Sequence, residues 1–172
     1  MALTEKIIAL ISKTSLFRGF NDLELETFLR FTGGEDYSPN QVIIKEGERG
    51  NNLYIIESGL VAVVTAIHVR EELKKMREKK YKVLAQLKDG DFFGEIGFFT
   101  SNPRSASVVA VNQVKLLCLG ENERDDLEYR EPGICCKFYH NLLGEMATRI
   151  ISGNEAIRAY YQAVNRDPRS IK

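Results

Sequence analysis

The stretch from Glu35 to Gly120 constrains the fold most, because short strands follow one another there with only turn residues between them. "QVIIKEG" ends at a glycine turn, and "NNLYIIESGLVAVVTAIHV" holds two alternating strands joined at Ser58-Gly59. "YKVLAQLKDGDFFG" stops at Asp89-Gly90, and "SASVVAVNQVKLLCLG" holds two strands broken at Asn112. Short strands at this spacing, with no helices between them, predict an antiparallel sandwich or barrel.

Helical patterns flank the strands on both sides. Asn21 followed by Glu24 predicts a capping box for a helix from Asp22 to Phe31, which Gly33-Gly34 would end. Pro132 predicts the start of a long helix near the other end of the chain. A seam of residues spaced by three and four follows in that helix: Leu143, Met146, Ile150, Gly153, Ile157, Tyr160 and Val164. The seam is about three heptads long, which leaves open a coiled-coil homodimer or a stripe that faces the core.

The overall charge and apolar pattern narrow the classes of function. Lys+Arg and Asp+Glu are both 24, and this balance argues against a general nucleic-acid or membrane-surface binder. No apolar run approaches the roughly 20 residues that span a bilayer, and the start of the chain is typical of an amphipathic helix rather than a signal peptide. The three cysteines form neither a disulfide framework nor a metal motif. We therefore expect a cytoplasmic protein with reduced thiols.

The segment "FGEIGFFTSNPRSASVV", residues 92–108, carries the most specific chemistry. Gly94 and Gly97 allow close approach of the backbone to a ligand, and a short helical turn after Gly94 would present free amides to an anion. Glu95 offers an acceptor for sugar hydroxyl groups, and Arg104 offers a planar pair of donors for phosphate oxygens. The pattern therefore suggests a compact sugar phosphate. The residues alone leave equally open that Glu95 and Arg104 simply pair across a turn.

This segment resembles the phosphate-binding cassette of the cyclic nucleotide-binding domain family, which includes bacterial catabolite activator proteins and kinase regulatory subunits. The match runs in order from "FGE" through "PRSASV", and "IIKEGERGNNLYIIESGLVAVV" resembles the early hairpins of the family. The resemblance implies an antiparallel, jelly-roll-like β-roll, mainly β, with N-terminal helices and a long C-terminal helix. It divides the chain into a helical segment 1–34, a β-roll 35–120 and C-terminal helices and tail 121–172, all of one domain.

The resemblance also implies a role for individual residues. Glu95 would accept a hydrogen bond from the ribose 2′-hydroxyl, and Arg104 would pair with the cyclic phosphate. The implied ligand-binding residues are Gly94, Glu95, Ile96, Gly97, Arg104, Ser105 and Ala106. In the C-terminal helix, "MATRIISGN" resembles the stretch that contacts the base, which places Arg149 and Asn154 as candidate base contacts.

The function implied is a cyclic nucleotide sensor without a metal or other cofactor, for which we favour cAMP over cGMP as the ligand. We expect no enzyme activity, since His68 and His140 are isolated and the segment 92–108 offers no nucleophile. The chain ends soon after Val164 without a DNA-binding domain, so we expect a homodimer through the C-terminal helix that signals to an unidentified protein in trans. The basic loop 70–82 is read as a solvated hairpin tip or a docking surface for an acidic partner. The alternative function is a dimerisation or interaction module of the same fold that binds no nucleotide.

Overall fold

Two four-stranded antiparallel sheets form the body of the protein, in a computed structural model that describes residues 2–66, 81–100 and 102–166. The helices are α1 Ala2–Ile11, α2 Asp22–Leu29, α3 Glu95–Phe99, α4 Glu121–Arg130 and α5 Pro132–Arg166, with a 3-10 turn at Ser15–Phe17. The strands are β1 Gly33–Tyr37, β2 Val42–Ile44, β3 Leu53–Ser58, β4 Leu60–Ala66, β5 Tyr81–Lys88, β6 Phe92–Phe93, β7 Ser107–Ala110 and β8 Val114–Leu119.

The order of the strands confirms the predicted β-roll. One sheet has the order β1-β8-β3-β6 and the other has the order β2-β7-β4-β5, so each sheet combines strands from both halves of the β region. All pairs are antiparallel, and β4 pairs with β5 along its whole length. With N-terminal helices before the sheets and the long α5 after them, the fold class expected from the sequence is confirmed.

Two apolar clusters hold these layers together. Between the two sheets, buried side chains such as Ile56, Val61 and Leu116 alternate with outward-facing residues. Under the helices, a second cluster joins α1, α2 and α5 to the outer face of the first sheet through Phe17, Phe28 and Phe138, among others. The two-residue strand β6 contributes to both clusters, because Phe92 faces the helices and Phe93 faces the space between the sheets.

The capping box predicted for α2 is present. The Asn21 Oδ1 atom accepts from the Glu24 amide at 2.9 Å, and Glu24 Oε2 accepts from the Asn21 amide at 3.0 Å. The predicted end of this helix is wrong, because α2 stops at Leu29 and Gly33 and Gly34 lie in β1. They pair there with β8, so these glycines belong to the sheet.

Helix α5 is a single helix of 35 residues, about 52 Å long at the usual rise per residue. Its first turns pack on the core through Phe138 and Leu142, which are fully buried. Beyond this point the large apolar side chains of Ile150, Ile157 and Tyr160 are exposed, whereas Val164 is half-buried. Most of the seam predicted for this helix is therefore exposed and does not face the core of its own chain.

Two predicted features fall outside the described residues. They are the strand position of His68 and residues 70–80 of the predicted loop 70–82, whose last two residues lie in β5. His140 lies in α5 as predicted and is exposed. Within the described residues, none of the helices combines the length and the apolar character needed to cross a bilayer.

Candidate functional site

In the segment 92–108, the described residues form β6, α3, the loop 102–106 and the start of β7. Gly94 lies between β6 and α3 with φ of 89°, a left-handed conformation that disfavours other residues. A Cβ atom there would come within 2.6 Å of the Asn52 carbonyl oxygen. Gly97 is equally restricted, because its Cβ would lie 2.5 Å from the Gly50 carbonyl oxygen and 2.8 Å from Arg104 Nη1. Both glycines therefore allow a close approach to the protein's own loop 50–52, whereas the sequence predicted an approach to a ligand.

Arg104 is buried beside these glycines, with 8% of its surface exposed. Its Nη1 donates to the Gly94 carbonyl oxygen at 2.8 Å and its Nη2 donates to the Asn52 carbonyl oxygen at 3.0 Å. Its backbone is fixed as well, since its amide donates to the Glu48 carbonyl. Burial lowers the pKa of the Arg104 guanidinium. The acceptors of these two side-chain bonds are neutral carbonyl oxygens. The positive charge of Arg104 is therefore buried next to Gly94 without being neutralised by either of these acceptors.

Glu95 begins α3 and is paired with an arginine from α5. Arg149 Nη1 donates to Glu95 Oε1 at 3.0 Å, and the Glu95 side chain is 13% exposed. Arg149 is held in turn by Phe92, because its Nη2 donates to the Phe92 carbonyl oxygen at 2.8 Å and its guanidinium lies 4.0 Å from the centre of the Phe92 ring. Among the described residues, Glu95 and Arg104 do not form the ion pair across a turn that the sequence left open as an alternative.

A cavity of about 370 Å³ opens above this arrangement. Its lining residues are Ile44, Val63, Ala85, Leu87, Phe93, Gly94, Glu95, Ile96, Ser105, Ala106, Val108 and Arg149. One wall is apolar and comes from the strands, and the other carries a carboxylate, a hydroxyl and a guanidinium. This combination suits a small ligand with a polar, charged end and a flat apolar end.

The structure brings together most of the residues predicted for the site. Gly94, Glu95, Ile96, Ser105, Ala106 and Arg149 line the cavity. Gly97 and Arg104 are buried behind this lining and contact each other. Asn154 is exposed on α5 and is outside the lining of the cavity.

Three contributions to the site were missed by sequence reasoning. The apolar wall comes from inward-facing strand positions such as Val63 and Leu87, which the alternation of the strands could have indicated. The carbonyl of Asn52 has no side-chain signal, although the nearby Gly50 hints at close packing. Arg124 of α4 donates to the Phe98 carbonyl oxygen at the end of α3, and it reads in the sequence as an ordinary charged helix residue.

A larger, polar cavity of about 730 Å³ is lined in part by the loop 49–52. Glu35, Glu121 and Glu123 contribute carboxylates to it, and Arg49 is its basic residue. It contains none of the residues predicted from the segment 92–108. Among the described residues, no cluster of histidine, cysteine or acidic side chains has the arrangement of a metal site.

Known proteins resemble a large part of the chain. Residues 35–127 match the sequence model of a family described as the cyclic nucleotide-binding domain. A cAMP-dependent protein kinase regulatory subunit from Hypocrea atroviridis is 35% identical over 88 residues, which are 51% of this chain and 16% of that protein. The chain therefore spans only a small part of the length of that curated relative.

Solved structures share the fold. The structure of a cyclic nucleotide-binding domain from Methylobacillus flagellatus has a TM-score of 0.77 at 23% identity, covering 92% of this chain and 84% of that one. The catabolite activator protein from Thermus thermophilus has a TM-score of 0.71 at 27% identity, covering 86% of this chain and 63% of that one.

Proposed function

The chain belongs to the cyclic nucleotide-binding domain family, and on that premise we propose that it is a cyclic nucleotide sensor that favours cAMP over cGMP. The ligand binds in the cavity above residues 92–108, with its ribose and cyclic phosphate toward α3 and its base toward the apolar wall. The observation that carries the proposal is the buried guanidinium of Arg104 beside a cavity lined by Glu95 and Ser105. The preference for cAMP is supported by the similarity of the chain, over 88 residues, to a cAMP-dependent protein kinase regulatory subunit.

The charge of Arg104 is the strongest argument for an anionic ligand. A buried charge is costly unless an opposite charge or several hydrogen bonds compensate for it. Arg104 donates to two neutral carbonyls, and burial lowers the pKa of its guanidinium. A cyclic phosphate bound beside the small lining residues Ser105 and Ala106 would supply the missing negative charge.

Glu95 and Arg149 connect the ligand to α5. In our proposal the Glu95 carboxylate accepts a hydrogen bond from the ribose 2′-hydroxyl, and Arg149 is the residue of α5 that senses this carboxylate. Ligand binding then repositions α5 relative to the cassette. The ligand can shift the helix only by the difference between its affinities for the two helix positions. The role of Asn154 as a base contact requires such a movement, because this residue is exposed outside the cavity.

The partners we propose are a second copy of the chain and an effector protein in trans. The exposed side chains of Ile150, Ile157 and Tyr160 follow the heptad-like seam of α5, which fits a parallel helix from another subunit. We place the protein in the cytoplasm, because Cys118 and Cys135 are buried as free thiols, as is usual in a reducing compartment. Segments 1–34, 35–120 and 121–172 together form the proposed domain.

Titration calorimetry with cAMP, cGMP and cyclic dinucleotides tests the function. We expect cAMP to bind more tightly than cGMP, and we expect Arg104→Ala to weaken binding by about 2–5 kcal/mol, because one partner of a buried charge pair is removed. Arg49→Ala is the matched control, since Arg49 is an exposed arginine in a neighbouring loop. Unchanged affinity in Arg104→Ala would remove this residue from the site.

The exposed seam of α5 also supports a second candidate function, an interaction module of the same fold that binds no nucleotide. The two functions differ in the titration. Wild-type protein that self-associates through α5 and shows no heat of binding with any of these nucleotides would favour the interaction module over the sensor.

A further inference from the structure

The short helix α3 is held at both ends by arginines from two other helices. At its beginning, Arg149 of α5 is paired with Glu95. At its end, Arg124 of α4 donates from Nη1 to the Phe98 carbonyl oxygen at 2.8 Å. A helix of five residues cannot be stable by itself, and the carbonyl groups of its last turn have no partners within the helix. The position of α3 therefore depends on these outside contacts.

The guanidinium of Arg124 is fixed in a single orientation by its surroundings. Its Nε and Nη2 both donate to Asp125 Oδ1, at 3.0 and 2.8 Å. The group also lies 5.4 Å from the centre of the Phe98 ring, and the side chain is only 20% exposed. Phe98 is buried in the core, so Arg124 ties the last turn of α3 to the start of α4. The Arg124 guanidinium is therefore held by more contacts than that of a surface arginine in a single exposed ion pair.

The location of α3 decides where the Glu95 carboxylate lies. Glu95 and Phe98 are three residues apart on the same short helix, so a displacement of its last turn also displaces Glu95. A hydrogen bond to a carboxylate weakens steeply when the donor and acceptor move apart by a few tenths of an ångström to an ångström. Loss of the contact at Phe98 would therefore change the geometry at Glu95 without any contact between Arg124 and the cavity.

We infer that Arg124 is a positioning residue that holds α3 so that Glu95 presents its carboxylate to a hydroxyl group of the bound nucleotide. The inference rests on the proposed function, because it assigns the 2′-hydroxyl of the ligand to Glu95. Arg124 lies outside the lining of the cavity, so its effect is on selectivity for the hydroxyl and not on a contact with the ligand.

The test compares the dissociation constants of cAMP and 2′-deoxy-cAMP. We expect wild-type protein to bind cAMP at least about tenfold more tightly, the usual effect of a hydrogen bond to a charged group. In Arg124→Met, which keeps an apolar stem over Phe98 but lacks a donor, we expect this preference to fall by about threefold or more. Arg124→Lys keeps a donor, so we expect it to retain more of the preference than the methionine variant. A change in stability alone would weaken both ligands together and leave the ratio unchanged.

Arg130→Ala is the matched control in the same helix. The Arg130 side chain is 63% exposed and pairs with Asp126 at 3.5 Å. We expect this variant to keep the wild-type preference for cAMP over 2′-deoxy-cAMP. That result would show that the loss of a positive charge from α4 is not sufficient to reduce the preference. If Arg124→Met does not fold, Asp125→Ala replaces it, because it removes the acceptor that orients Arg124. We then expect the preference to fall by about twofold or more.

The outcomes separate this inference from the proposed function. A wild type that binds neither nucleotide overturns the proposed function and this inference with it. A wild type that prefers cAMP, together with a folded Arg124→Met that keeps the same preference, overturns only the role of Arg124. A wild type that binds both nucleotides equally overturns the assignment of the hydroxyl to Glu95, and the role of Arg124 with it.

Discussion

Arg149 and Glu95 are 54 residues apart in the sequence and form an ion pair of 3.0 Å between Nη1 and Oε1. The pair connects the first residue of α3 with the middle of α5. Any ligand that donates a hydrogen bond to the same carboxylate therefore acts on a group that α5 already contacts. In the proposed sensor, this ion pair is the route by which a change at the cavity is transmitted to the long helix.

Removal of the arginine should break this route. In Arg149→Met we expect cAMP still to bind, weakened by about tenfold, because Glu95 loses the hydrogen bond that positions its carboxylate for the ligand. The effect of saturating cAMP on amide hydrogen exchange in α5 should disappear in this variant. Arg158→Met, at an exposed position on the same helix, is the control and should respond as the wild type does. A helix that responds to cAMP equally in all three proteins would contradict the proposed route.

Gly97 should not tolerate a methyl group. Its Cβ would lie 2.5 Å from the Gly50 carbonyl oxygen and 2.8 Å from Arg104 Nη1, so Gly97→Ala must displace the loop or the guanidinium. We expect at least about a tenfold loss of cAMP affinity, measured by calorimetry, as the result of a misplaced charged donor. Gly153→Ala in α5 meets open space and should raise the free energy of unfolding by about 0.5–1 kcal/mol in urea titrations. Wild-type affinity in Gly97→Ala would show that the site adapts more easily than this packing indicates.

The exposed seam of α5 should control self-association. Ile150 is 62% exposed, so Ile150→Glu should leave the free energy of unfolding of the single chain within about 0.5 kcal/mol of the wild type. If two copies pair through this seam, the same variant should shift sedimentation velocity profiles toward the monomer. Leu23→Glu, at an exposed position of α2, is the control and should leave the profile unchanged. Equal profiles for Ile150→Glu and the wild type would place any self-association elsewhere.

The three cysteines should differ in reactivity toward a thiol reagent at pH 8. Burial raises the pKa of Cys118 to about 12 and raises the pKa of Cys135, whereas Cys136 is exposed. Only the thiolate reacts, so we expect one fast thiol per chain in the folded protein and three in denaturant. Substitution of Cys136 by serine should remove the fast phase. A fast phase that persists would show that a buried cysteine becomes accessible in the native protein.

Much of the fold could be predicted because it follows from local patterns. Alternating apolar residues indicated strands such as β3 and β8, and the reciprocal bonds of Asn21 and Glu24 marked the start of α2. The strand β6 was not identified, because two residues are too few for an alternation to show. The glycines of β1 were read as a helix stop, since their pairing with β8 depends on residues far along the chain.

The candidate site was predictable to a similar degree. The types of residue at Glu95 and Arg104 indicated what each could bind, and the family pattern gave their roles as expectations. Their actual partners, Arg149 for one and two backbone carbonyls for the other, are set by the tertiary structure. A carbonyl group is present in every residue, so no pattern in the sequence could single out Asn52. Arg124 was missed for the same reason, since its acceptor is the backbone of Phe98.

The length of α5 gives it the mechanical property of a lever. The helix continues from Arg149 to Arg166, about 26 Å at the usual rise per residue. A rotation of about 10° around the contact with Glu95 would move the far end of the helix by roughly 4–5 Å over this length. A rotation that hardly moves the helix beside the cavity thus displaces the distal turn by several ångströms. By the same geometry, a partner that moves the distal turn would rotate the helix around its contact with the Glu95 carboxylate.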